Sequence, residues 1–128
     1  MEYITETFLP YARILTPLLI EGLQITLYVS AAAFVLSTIL GAVLAVIQHF
    51  KVKGLAWLVK LYISYFRGTP LLIQLFLFYY GLPMVFDVMK QCPKVLALII
   101  CLALNSAAYI SEAIRGAIDS VEQGQYEA

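Results

Sequence analysis

Two short stretches of this chain carry the side chains that could do chemistry. The first is Arg67-Gly68-Thr69-Pro70, set between apolar runs. Proline suits the first position of a helix, and the Thr69 before it suits an N-cap. A half-helix starting there inside a membrane would aim its positive dipole end and free N–H groups at the carboxylate of a small solute. Arg67 would add a fixed positive charge. The plainer reading is a kink whose arginine pairs with a helix end, with Glu112 or with lipid headgroups, because an arginine at depth is costly and seeks a partner. The second stretch holds Glu112 and Arg115, three apart on one helical face and able to pair. Glu112 there serves a solvated ion pair, a pathway or a contact with another subunit.

Other chemistries find no support. The sequence shows no glycine loop for phosphate, no nucleophile beside a base and no carboxylate dyad, so no catalytic residue is expected. His49 is the single histidine and has no spaced ligand partners, so no metal site is expected either. Cys92 and Cys101 would lie roughly 13 Å apart along one helix, too far to bridge, and read as small apolar fillers. Formal net charge is zero and no basic run appears, which speaks against nucleic acid.

The elements that must position these residues are membrane helices. Of 128 residues 62% are hydrophobic and 12% charged, and mean hydropathy is +0.90. Soluble domains carry about twice that share of charge. Residues 22–50 contain no Asp, Glu, Lys or Arg, and about 20 apolar residues cross a bilayer core. The predicted architecture is therefore an all-α membrane protein with three transmembrane helices, spanning about 22–48, 55–83 and 95–117. Residues 1–21, with Pro10, Pro17 and four charges, read as an amphipathic segment lying on the surface. Their acidic start lacks the positive region of a signal peptide, so the first span is expected to be retained. Within that span Ser37 and Gly41 form a small-xxx-small pair suited to close helix packing.

The second span has two possible registers. Trp57 and Tyr79 as interfacial aromatics stand roughly 33 Å apart on a straight helix, which puts Arg67 and Pro70 near mid-membrane in a broken or bent helix. This is the favoured register. Alternatively the crossing begins at Thr69 and Arg67 stays at the basic interface. Lys51, Lys53, Lys60 and Arg115 on one side outnumber Arg13, Lys90 and Lys94 on the other. By the positive-inside rule the 48–60 loop and the C-terminus are expected inside, the N-terminus outside. Ser120 and Gln123 fit a capping box, so a new helix is expected near residue 120.

The segments Tyr65-Phe66-Arg67-Gly68-Thr69-Pro70-Leu71-Leu72-Ile73-Gln74 and Tyr80-Gly81-Leu82-Pro83 resemble the second-span signature of polar amino-acid ABC transporter permeases. Ala108-Tyr109-Ile110-Ser111-Glu112-Ala113-Ile114-Arg115-Gly116 resembles the end of the third span in that family. Gly124-Gln125-Tyr126-Glu127-Ala128 resembles the entry to its cytoplasmic coupling loop, and Gly22-Leu23-Gln24-Ile25-Thr26-Leu27 the start of its first span. The resemblance implies a permease core of about five helices in the bacterial cytoplasmic (inner) membrane, of which this chain is the N-terminal portion, 22–128, ending as the coupling loop starts at 118–128. It implies uptake of polar amino acids, with an extracytoplasmic binding protein, an identical or different second permease subunit and a cytoplasmic ABC ATPase dimer as partners. ATP would be used by the ATPase, and this chain would hold no cofactor. Candidate substrate-path residues are then Arg67, Gly68, Thr69, Pro70, Gln74, Asn105 and Glu112, and candidate ATPase-coupling residues are Gly124, Gln125, Glu127 and Ala128. Such a portion is expected to insert but to transport nothing alone.

Two other classes compete. A pore-forming or structural membrane protein complete at three spans would require a self-contained ending, often a charged tail. A membrane enzyme lacks any supporting residue.

Overall fold

The computed structural model describes residues 9–121. Among these the order is α1 (Leu9–His49), α2 (Leu55–Gly68), α3 (Leu71–Phe76), a π-helical turn (Leu77–Gly81), α4 (Leu82–Val85), α5 (Asp87–Lys90) and α6 (Lys94–Asp119). Two helices are long and apolar enough to cross a membrane, Pro10–His49 and Lys94–Asp119, and the bent pair Leu55–Gly68 with Leu71–Val85 makes a third candidate. The chain is an all-α membrane protein, and large side chains such as Phe34, Ile39, Leu72 and Ile73 are exposed to its surroundings.

The chain divides into two compact units, residues 1–31 and 32–128. The described part of the first unit is the N-terminal stretch of α1, exposed and apolar on most sides. Thr16 and Thr26 donate their hydroxyls to the Ala12 and Gly22 carbonyls four residues back, so neither needs an outside partner. The surface segment expected to end at Glu21 has no structural boundary there: α1 runs unbroken through Pro17 and Glu21. Pro17 forfeits one backbone bond, whereas ending the helix would orphan four carbonyls and four amides in apolar surroundings.

In the second unit, Ala33, Ser37, Gly41 and Ala45 follow one another at four-residue spacing on α1 and are all buried. Gly41 is the tightest point. A Cβ there would stand 2.7 Å from Ile110 Cγ2 and 3.2 Å from the Ala107 carbonyl oxygen. The Ser37–Gly41 pair is thus a packing face, met by alanine-rich α6. Val59, Ile63 and Phe66 line the buried side of α2 and close on Ala108, with Leu44, Ile47, Tyr62 and Leu104 around them. Cys101 on α6 is wholly buried.

The end of α1 is sealed in its own way. The Val52 amide bonds to the Ile47 carbonyl and the Lys51 amide to that of Gln48, with Lys51 in the left-handed region at φ 50. This is a Schellman ending in which glycine is the usual occupant. A lysine in its place costs roughly 1 kcal/mol.

Proline marks the other breaks except the one between α4 and α5, which falls at an extended Phe86. Thr69, ahead of Pro70, is extended at φ −116, ψ 144, as a residue before proline prefers. The halves on either side differ in direction by 105°. The broken helix expected in the favoured register is present, but at 1.5 Å per residue on each arm the bend brings Trp57 and Tyr79 to roughly 20 Å apart, shorter than a straight helix would hold them. Further along, Pro83 has no N–H for Tyr79, and the chain widens into the π turn just before it, with the Leu82 amide reaching back to Leu77. Pro93 starts α6. Ser120 is the C-cap of α6 and donates its hydroxyl to the Ala117 carbonyl; the helix expected to begin near it, with Gln123, lies outside the described residues.

Candidate functional site

Breaking a helix inside an apolar environment leaves carbonyls without amides, and the residues after the break answer that need. The Gln74 side chain, 1% exposed, turns back across the bend. Its amide nitrogen donates to the Phe66 carbonyl at 3.0 Å, the Thr69 carbonyl at 3.1 Å and the Thr69 hydroxyl at 2.7 Å. Its carbonyl oxygen accepts from Asn105 Nδ2 of α6 at 2.9 Å, and the same nitrogen reaches the Phe66 carbonyl at 3.4 Å. Both ends of the Gln74 amide are thereby engaged within the chain. Tyr62 donates its hydroxyl to the Leu104 carbonyl, one residue away on α6.

Thr69 differs from expectation. It does not cap α3; its hydroxyl donates to the Tyr65 carbonyl at 2.8 Å. Pro70 is the N-cap of α3, at φ −63 and ψ 135, with no side-chain cap. The physical reason is the extended Thr69 backbone, which leaves its side chain facing the frayed end of α2. Gly68 is exposed, and a Cβ there would meet nothing within 4 Å, so neither close approach nor conformation requires glycine.

Arg67 and Glu112 come together across 45 residues. Arg67 donates to Glu112 Oε2 at 3.3 Å and lies 5.6 Å from the centre of the Tyr109 ring, within cation–π range. Arg115 grips the same carboxylate with two nitrogens, at 3.2 Å and 3.1 Å, and reaches Asp119 at 3.0 Å. Gln48 at the end of α1 approaches Glu112 Oε1 at 3.5 Å. One carboxylate thus ties α1, α2 and α6 together. The sequence had left Glu112 as one of three possible partners for Arg67, and this is the partner in the fold. Arg67 is 44% exposed and Glu112 23%, so the pair remains within reach of a solute.

The candidate path residues therefore form two groups. Arg67 and Glu112 make an accessible ionic cluster, while Thr69, Gln74 and Asn105 make a buried clasp across the bend at Gly68-Thr69-Pro70. Gly124, Gln125, Glu127 and Ala128 lie outside the described residues. Sequence reasoning missed Gln48 and Tyr109. Gln48 was visible as the polar residue ending a long apolar run; Tyr109 had no signal beyond standing three residues before Glu112. Among the described residues no group of His, Cys, Asp and Glu could hold a metal ion.

Known proteins resemble this chain in sequence and in fold. Residues 37–128 match the family described as binding-protein-dependent transport system inner membrane component. The Bacillus subtilis (strain 168) protein named Probable amino-acid permease protein YxeN is 49% identical over 112 residues, covering 88% of this chain and 50% of its own length. The arginine transport system permease protein ArtQ of the same organism is 40% identical, again over 88% and 50%. A crystal structure of an amino acid ABC transporter with histidines superposes with TM-score 0.81 at 36% identity, covering 91% of this chain and 53% of that one. The chain spans about half the length of the curated relatives it matches. The resemblance found around Arg67 and Glu112 extends over most of the sequence, and this chain belongs to the family of binding-protein-dependent transport system inner membrane components.

Proposed function

We propose that this chain supplies membrane spans of a permease subunit in an ATP-driven uptake system for polar amino acids. The carrying observation is 40–49% identity over at least 88% of the chain to proteins named as amino-acid permeases. In this reading Arg67 and Glu112 line the solute path, their opposite charges complementing the carboxylate and ammonium of an amino acid. Gln74, Asn105 and Thr69 keep the bend that presents Arg67. Residues 124–128 begin the loop on which a cytoplasmic ATPase dimer acts. A second permease subunit and an extracytoplasmic binding protein complete the assembly in the bacterial inner membrane. The N-terminus lies outside, with the basic 48–60 loop at the cytoplasmic face.

Deleting the gene in its source cell and following uptake of radiolabelled amino acids tests this. ATP-dependent uptake of at least one polar amino acid is expected to disappear and to return with the intact operon. Undiminished uptake of every amino acid would refute the assignment. The chain reconstituted alone is expected to carry none.

A further inference from the structure

Beside the ionic cluster, the second unit contains a cavity of about 660 Å³ whose wall includes Gln48, Lys51, Lys60, Ser64, Glu112 and Arg115. Three cations face one carboxylate there. Arg115 is committed to Glu112 and Asp119, and Glu112 is shared between two arginines. Lys51 and Lys60 form no ion pair among the described residues. Their charge is available to an anion.

A second observation singles out Lys51. It occupies the left-handed position of the α1 ending at φ 50, where glycine would sit without strain. The backbone there tolerates an unfavourable residue that brings an ammonium group to the cavity wall. The surroundings indicate what kind of anion fits. Phe50 and Trp57 are 72% and 66% exposed, and Val52, Leu55 and Leu58 are exposed as well, interleaved with Lys51, Lys53 and Lys60. Exposed aromatics among lysines at the end of a span belong to the headgroup level of a bilayer. A soluble anion would engage the lysines and leave the apolar flank unused.

We propose that this cavity binds the phosphate of an anionic phospholipid, held by Lys51 and Lys60, with the acyl chains against Phe50, Val52 and Trp57. Basic pockets between membrane helices suit such headgroups, and each lysine near an anionic surface contributes about 1 kcal/mol, or roughly fivefold in affinity.

The chain would be placed in nanodiscs of phosphatidylcholine with added phosphatidylglycerol, and the retained lipid counted by native mass spectrometry. Lys51→Gly and Lys60→Gln are each expected to lower phosphatidylglycerol retention about fivefold, while Lys53→Gln, off the cavity wall, changes it little. Because Lys51→Gly relieves backbone strain, its melting temperature is expected to equal or exceed that of the parent, which separates lost binding from lost folding. Equal losses for all three variants would reveal diffuse surface charge and overturn the site, as would no loss at all. Displacement of the lipid by inorganic phosphate would assign the cavity to a soluble anion and overturn the lipid reading.

Discussion

Replacing Gln74 by leucine tests whether the bend is held by its side chain. The substitution keeps the volume roughly constant and removes donors to the Phe66 and Thr69 carbonyls and to the Thr69 hydroxyl, together with the acceptor for Asn105. The Phe66 carbonyl keeps only the Asn105 contact at 3.4 Å. Two net hydrogen bonds at about 1 kcal/mol each, plus a share of the penalty for a poorly paired buried amide, give roughly 2–3 kcal/mol. Interhelical bonds in membrane proteins average lower, about 0.6 kcal/mol, which sets a floor near 1 kcal/mol. Asn105→Leu is expected to cost less, and the double variant to cost less than the sum by about 1 kcal/mol, since each change leaves the other partner unpaired. Unfolding in mixed detergent micelles, followed by circular dichroism, reads all three values. A loss below about 0.5 kcal/mol for Gln74→Leu, or strict additivity, would refute the clasp. A shift in KM for uptake at unchanged stability would instead place Gln74 on the solute.

Gly41 and Arg67 are the further positions to test. Gly41→Ala places a methyl group 2.7 Å from Ile110; overpacking costs about 1–3 kcal/mol against up to about 1 kcal/mol of helix propensity gained, so a net loss is expected in the same unfolding assay, and Gly41→Leu should be far worse. Arg67→Ala removes a partly exposed ion pair and is expected to cost under about 1 kcal/mol and to leave membrane insertion intact, yet to lower uptake in the complete subunit; unchanged uptake in proteoliposomes would remove Arg67 from the pathway.

Much of the architecture is legible in the sequence because hydropathy and proline act locally. Residues 22–50 are apolar enough to form a membrane helix whatever surrounds them, and Pro70 breaks the second span because it lacks an amide and forces Thr69 to extend. Small residues at four-residue spacing marked the α1 face at Ser37 and Gly41 for the same local reason. Local rules failed where a competing interaction decided. Pro17 looked like punctuation, but an apolar environment makes one lost bond cheaper than a helix end. Thr69 had the chemistry of a cap, yet its extended backbone turned the hydroxyl back to Tyr65. The tertiary structure alone decided the 105° bend, the choice of Glu112 among the partners open to Arg67, and the closing of Gln74 upon Phe66 and Asn105. Those pairings join positions 8, 31 and 45 residues apart, and a side chain selects its partner by which donors and acceptors packing brings within about 3 Å, a quantity that no local pattern contains.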